Sequence, residues 1–232
     1  MDALHERIAS LVERCRVRSE DPEFKRNAER LAQENAEAAE VLAASELRHA
    51  RLRSGVPIGL WNPVHPEQSP LEHTSPTPAL DVVKAHLVSP PPCVFLTLSG
   101  KRGQGKTFAA AFAVYSRGGR FVDAHDLVRL SSFDQGEWTD LERQPLLAID
   151  ELGAEYLNDA YKANLYALLN RRYADQRKTV LATNLSAPAF VARYCPDPED
   201  RLLERLTKGG TWANLAGESL RTHWAGRDGG DE

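Results

Sequence analysis

The residues with the most chemical content sit in one short stretch. Ser99-Gly100-Lys101-Arg102-Gly103-Gln104-Gly105-Lys106-Thr107 fits the pattern G-x-x-x-x-G-K-[ST]. Glycines in such a loop let successive backbone N–H groups curl around an anion, and a helix starting behind them adds the positive end of its dipole. Lys106 would then reach the β- and γ-phosphates of a nucleotide, and the Thr107 hydroxyl would ligate Mg2+. A second group lies about forty residues on, where Asp150-Glu151 closes the apolar run Leu146-Leu147-Ala148-Ile149. An Asp there can hold the Mg2+ shell, and a Glu beside it can polarise a water for attack on the γ-phosphate. Asn184 closes a further apolar run and is placed to hydrogen-bond the γ-phosphate, although Asn at a strand end also serves as a turn residue. Arg201 and Arg205 stand four apart on one helix face. They read either as a solvated face beside Glu204 or as an arginine supplied to the nucleotide of a neighbouring subunit. Spacing alone leaves both open.

These groups need elements to position them. Cys93-Val94-Phe95-Leu96-Thr97-Leu98 reads as a buried strand before the loop, and the apolar run from Phe108 to Tyr115 reads as a buried helix after it. Arg117-Gly118-Gly119 stops that helix and leads into a second strand over 120–124, followed by a short helix over 126–131. Residues 146–150 form a third strand and 160–174 a long helix with Leu165, Leu168 and Leu169 on its core side. Residues 179–184 form a fourth strand. A last helix spans 198–206, capped by Asp197, with Leu202, Leu203 and Leu206 inward and the arginines outward. Strand and helix in alternation imply an α/β fold: a parallel sheet covered by helices on both faces, with ligands at the carboxyl ends of the strands.

The N-terminal third is different. Leu4, Ile8, Leu11 and Cys15 recur at helical spacing over 2–18. Asp21 and Pro22 then start a second helix running to about Arg53, whose stripe of Phe24, Ala28, Leu31, Ala38, Leu42 and Leu52 is too thin for an independent core. This pair of helices is a solvated arm or a hairpin that docks on a partner protein. Nine prolines fall within 54–92, a linker with one helix over 78–88, capped by Thr77, and with Trp61 to pin it to the next domain. We therefore expect an arm over 1–53, the linker over 54–92, a nucleotide-binding domain over 93–224 and an acidic tail over 225–232. Net charge is −4, so no global basic field draws the chain onto nucleic acid. Cys15, Cys93 and Cys195 are too scattered for a metal cluster and suit a reducing, cytoplasmic setting. No run is apolar enough for a signal peptide or a membrane span.

Taken together, the loop, Asp150-Glu151-Leu152-Gly153, Asn170-Arg171-Arg172-Tyr173, Thr183-Asn184-Leu185-Ser186 and residues 201–206 resemble the DnaC/IstB-type AAA+ ATPases over about 54–221. Ser54-Gly55-Val56-Pro57 resembles the Gly-x-Pro segment that precedes the ATPase domain in members of that family. The resemblance implies a P-loop AAA+ domain without a helical lid, ATP/ADP and Mg2+ as ligands, and a homo-oligomeric ring or spiral in the active state. It implies phosphate contacts from Gly100, Gly103, Gln104, Gly105, Lys106, Thr107 and Phe108, and Mg2+ held by Thr107 and Asp150. Glu151 would activate water and Asn184 would sense the γ-phosphate. Arg205 matches the family's arginine finger, and Arg201 sits one turn earlier. Gly217-Glu218-Ser219-Leu220-Arg221 resembles the closing Ser-x-Arg, whose arginine approaches the nucleotide in cis. Members load a replicative hexameric helicase onto single-stranded DNA or assist a transposase on duplex DNA. Residues 1–53 carry ten Lys/Arg against eleven Asp/Glu, which favours a protein partner over a DNA grip and hence the loader. Phe133 and Trp138 offer stacking surfaces for bases, though a core role suits them better. A third reading, a scaffold that binds ATP without turnover, sits poorly with Asp150, Glu151 and Asn184 all present.

Overall fold

A computed structural model describes residues 22–61, 69–90, 93–130, 135–197, 201–217 and 219–220. The expected helix over 2–18, Phe133, Arg221 and the acidic tail lie outside these residues. The chain divides into two compact units, Met1–Arg48 and His49–Glu232.

Helix α1 spans Pro22–Leu52. Its described side chains are exposed, including Leu31 at 53%, Leu42 at 61% and Leu52 at 51%. Pairs one turn apart, Arg30 with Glu34 and Gln33 with Glu37, lace its surface.

The second unit is built on five parallel strands: β1 (Phe95–Ser99), β2 (Arg120–Asp123), β3 (Leu146–Leu152), β4 (Lys178–Thr183) and β5 (Gly210–Asn214). Their order is β2-β3-β4-β1-β5. Four of them follow the expected runs. The fifth, on the sheet's edge, is a strand that the sequence reading did not anticipate. Helices α2 (Pro78–Val88) and α3 (Lys106–Arg117) cover one face. They pack Ala79, Val83 and the fully buried Ala109, Ala110 and Ala113 against Leu96, Leu98, Ala148 and Val180. The alanines keep α3 close to the sheet. The other face carries α4 (Ala124–Arg129), α5 (Gln135–Arg143), α6 (Asp159–Ala174), α7 (Ala187–Tyr194) and α8 (Arg201–Lys208). There Leu127, Leu141, Leu165, Leu168 and Leu169 meet Phe95, Leu147, Ile149 and Leu181. Alternate residues of each strand thus serve opposite cores, as the pleat requires.

Several boundaries differ from expectation for local reasons. The short helix begins at Ala124 because Asp123 caps it, accepting from the His125 N–H at 2.7 Å. Asn158 caps α6 in the same way through Tyr161 N–H. The Thr77 cap of α2 is as expected, accepting from Leu80 N–H. Trp61 is buried against Tyr115, with ring centroids 6.0 Å apart, and so holds its segment to the domain. The Phe121 N–H donates to Ser54 O at 2.6 Å, fastening the Gly-x-Pro segment to β2. Trp138 is 5% exposed and belongs to the core, not to a stacking surface.

Candidate functional site

The carboxyl ends of the central strands open on one cavity of about 640 Å3. Gly103, Gln104, Gly105, Lys106, Thr107 and Phe108 enter it from the loop and the first turn of α3, Asp150 and Glu151 from β3, and Asn184 from the end of β4. Three crossovers separate these residues in sequence, and the parallel topology brings their strand ends to one side. Gly100, expected among the phosphate contacts, does not line the cavity, and its carbonyl accepts from Lys106 instead.

Lys106 is the hub. Its Nζ donates to Gly100 O at 2.7 Å, Lys101 O at 2.8 Å and Asn184 Oδ1 at 2.9 Å. Burial lowers the pKa of its ammonium, while Asp150 and Glu151 pull it back up. Three neutral oxygens hold the cation where an anion bound over the loop would meet it. Asp150, 6% exposed, has its carboxyl pushed up by burial, against a hydrogen bond from the Thr107 hydroxyl. A buried carboxylate beside a hydroxyl is a hard-oxygen pair suited to Mg2+.

Glycine at position 103 is required by the segment that closes over the loop. Gly103 sits at φ +84°, where a Cβ would lie 2.0 Å from Ser219 Oγ. The chain after β5 closes over the loop here: Leu220 N–H donates to Gly103 O at 2.8 Å, and Gln104 Nε2 donates to Gly217 O at 3.1 Å. The amide nitrogen of Gln104 is thus committed to the closing segment, while its buried Oε1 has no hydrogen-bond partner among the described residues.

Glu151 is exposed, at φ +55°, where the β3–β4 register shifts between Ile149 and Leu152. The register shift takes the Glu151 backbone out of the regular ladder. Asp123, the register partner of Asp150, and His125 have polar atoms that lie with those of Glu151 within 4.8 Å of one another. His125 Nδ1 is 3.0 Å from Asp123 Oδ1. Neither residue was expected at the site, because only the pairing of β2 with β3 brings them beside Glu151. Thr183 Oγ1 donates to Leu152 O at 2.6 Å and Ser99 Oγ to Leu185 O at 2.7 Å. These bonds fix the turns carrying Glu151 and Asn184 against each other.

The rest of the cavity wall comes from Leu60, Thr77, Arg102, Ala182, Thr183 and Leu220, none of them expected as site residues. Leu60 and Thr77 lie in the proline-rich segment, where composition pointed to a linker. Arg201 and Arg205 do not line the cavity. Arg201 is exposed, but the expectation that both arginines face outward fails for Arg205. Its guanidinium donates to Asn170 Oδ1 and lies over the Tyr173 ring, 5.4 Å from the centroid. Residue 205 shares the inward face of α8 with Leu202, one turn earlier.

A sequence profile of the IstB-like ATP binding protein family matches residues 94–226, more than half of the chain. The chain belongs to that family. The IstB-like domain is an AAA+ fold, and the chain is an ATP-binding AAA+ protein. Escherichia coli K12 has a curated relative, the uncharacterized protein YdaV, 27% identical over 146 residues that cover 56% of each chain. The chain thus matches about half the length of that relative. The crystal structure of the DnaC helicase loader is similar with a TM-score of 0.52 at 21% identity, covering 63% of this chain and 96% of that one. The replication initiator DnaA bound to AMPPCP and single-stranded DNA also gives 0.52, at 19% identity, over 65% of this chain and 51% of that one. Both likenesses are likenesses of fold. The resemblance to DnaC/IstB-type AAA+ proteins expected from the sequence is borne out. No helix among the described residues is long and apolar enough to cross a membrane.

Proposed function

We propose that the chain is an ATP-hydrolysing switch that loads a replicative hexameric helicase onto single-stranded DNA. The observation that carries this reading is the gathering of Lys106, Asp150, Glu151 and Asn184 around one cavity, with Arg205 outside it. In this reading the N–H groups of the loop and Lys106 hold the β- and γ-phosphates. Thr107 and Asp150 hold Mg2+, which when bound supplies charge neutralisation to the phosphates. Glu151 accepts a proton from the water that attacks the γ-phosphorus, as the bond to the ADP oxygen breaks. Asn184 orients that water or the γ-phosphate. Arg205 completes the site of a neighbouring copy, which its position away from its own cavity supports. Arg221 approaches in cis, and Arg201 lies at the rim of the same contact between copies.

The arm over 1–53 is the helicase-binding element. Its balanced charge and the exposed leucines of α1 support a protein partner rather than a phosphate backbone. The match to the IstB-like family supports a second reading equally, a helper of a transposase on duplex DNA. Light scattering on a sizing column, with ATP and Mg2+ and the host's replicative helicase, separates the two. A complex that is lost when residues 1–53 are deleted supports the loader. No complex overturns it, and a transposase on duplex DNA becomes the partner to test.

A further inference from the structure

The four residues Asn170-Arg171-Arg172-Tyr173 on α6 carry chemistry that the nucleotide cavity does not use, and they divide by face. Arg171 points to solvent and pairs with Asp175 at 3.1 Å. Arg172 points into the core. Asn170 and Tyr173, three apart and therefore on one side of the helix, both face Arg205 of α8.

The contacts on Arg205 are selective. Asn170 accepts its hydrogen bond through a neutral amide oxygen, and Tyr173 offers a ring face. Glu204, the acid next to it in sequence, gives its carboxylate to Lys208 at 2.7 Å. The two groups that orient the guanidinium, an amide oxygen and a ring face, carry no formal charge to neutralise it. A carboxylate at position 170 would instead form a charge-assisted, two-pronged pair that competes with any phosphate. Tyr173 is itself fixed. Its ring stacks on Phe95, centroids 6.1 Å apart and planes 10° from parallel. A Cβ at Gly209 would lie 2.3 Å from its Cε2, so only glycine lets the end of α8 approach this closely. Gly209 N–H donates to Arg205 O, and Gly209 O accepts from Val94 and Phe95 N–H. Arg205, Tyr173 and the first residue of β1 form one block, and β1 ends at the phosphate loop.

We propose that Asn170 and Tyr173 are positioning residues for Arg205. They hold its guanidinium, still charged, in the orientation offered to the γ-phosphate of a nucleotide on a second copy of this chain. This rests on the trans role of Arg205 proposed above, and the experiment is built so that the two can fail separately.

The test mixes full-length chains and measures phosphate release from ATP with Mg2+. A Glu151→Gln chain keeps Arg205 but has a disabled site. An Arg205→Ala chain keeps its site but offers no arginine. Mixing the two should restore turnover at Arg205→Ala sites that have a Glu151→Gln neighbour. Adding Asn170→Asp to the Glu151→Gln chain should cut the restored rate roughly tenfold to a hundredfold, the scale of a misplaced catalytic group. The KM for ATP should hold within about twofold, since only transition-state contacts are lost. The same substitution added to the Arg205→Ala chain should cost nothing further. Tyr173→Ala in the donor should lower the restored rate, and Tyr173→Phe, which keeps the ring face, should rescue it. Equal loss from either chain would mean a folding role and overturn the proposal, as would full restoration with Asn170→Asp in the donor. If the two parent chains do not restore turnover on mixing, the trans reading of Arg205 falls and takes this proposal with it.

Discussion

Glu151 is held by its backbone. A non-glycine residue at φ +55° is uncommon and costs free energy that the surrounding structure must meet. Here the Thr183–Leu152 bond and the register shift hold the turn, and the carboxylate stands beside Asp123 and His125. Glu151→Gln keeps size and shape but cannot take a proton. ATP turnover should fall by roughly 10²- to 10⁴-fold, the usual contribution of a general base. ATP affinity should persist, because Lys106 and the loop make the phosphate contacts. Phosphate release together with binding of labelled ATP checks both, and unchanged turnover would remove Glu151 from its proposed role. Glu151 and Asp150 were legible as an acid pair ending an apolar run. Asp123 and His125 were not, because only the pairing of β2 with β3 makes them neighbours.

At the scale of elements, apolar runs announced β1, β3 and β4, whose residues are buried almost throughout. β5 was not legible. Gly210-Thr211-Trp212-Ala213-Asn214 is an edge strand with a largely half-exposed pattern, so no apolar run marks it. α5 hid behind polar residues, with Trp138 and Leu141 as its buried positions. Arg172 is what ties α5 into the fold. It is fully buried and donates to the carbonyls of Leu141, Glu142, Gln144 and Lys178 and to Thr179 Oγ1. Burial lowers its pKa to about 9, so it remains charged at neutral pH. These five hydrogen bonds close the end of α5 and the start of β4 around one side chain. Arg172→Met would keep much of the volume and leave those oxygens without a donor. We expect a loss of about 3–5 kcal/mol, typical when one partner of a buried charged network is removed. Arg172→Lys should recover only part of it, since an ammonium cannot span the fork. Urea denaturation of the two variants measures this, and a loss under about 1 kcal/mol for Arg172→Met would show that water replaces the donors.

The whole molecule joins its proline-rich segment to the sheet at a second buried junction, and that junction makes stability depend on pH. His86, near the end of α2, is 4% exposed, with Nδ1 3.5 Å from Cys93 Sγ. Lys178 reaches across from β4, its Nζ donating to the carbonyl oxygens of His86, Ser89 and Cys93. Burial, and then the Lys178 charge, lower the imidazole pKa from 6.5 to about 4. Between those values the unfolded chain binds the proton and the folded one does not, so stability falls as pH falls through that window. From pH 6.5 to pH 5 the loss from this residue amounts to about 2 kcal/mol, at 1.4 kcal/mol per pH unit. Asp150 works in the opposite sense. Its raised pKa lets the folded state take a proton more readily, so acidification relieves a cost there. The two groups lie at different parts of the sheet and should act additively. His86→Gln removes the titration while keeping a neutral polar side chain. Unfolding free energies from urea titrations at pH 7.5 and pH 5 should therefore fall more steeply for the native chain than for His86→Gln, by about 2 kcal/mol. Equal slopes would mean that His86 takes up its proton in the folded state, and with it that the junction of α2, β1 and β4 opens to water as the pH falls.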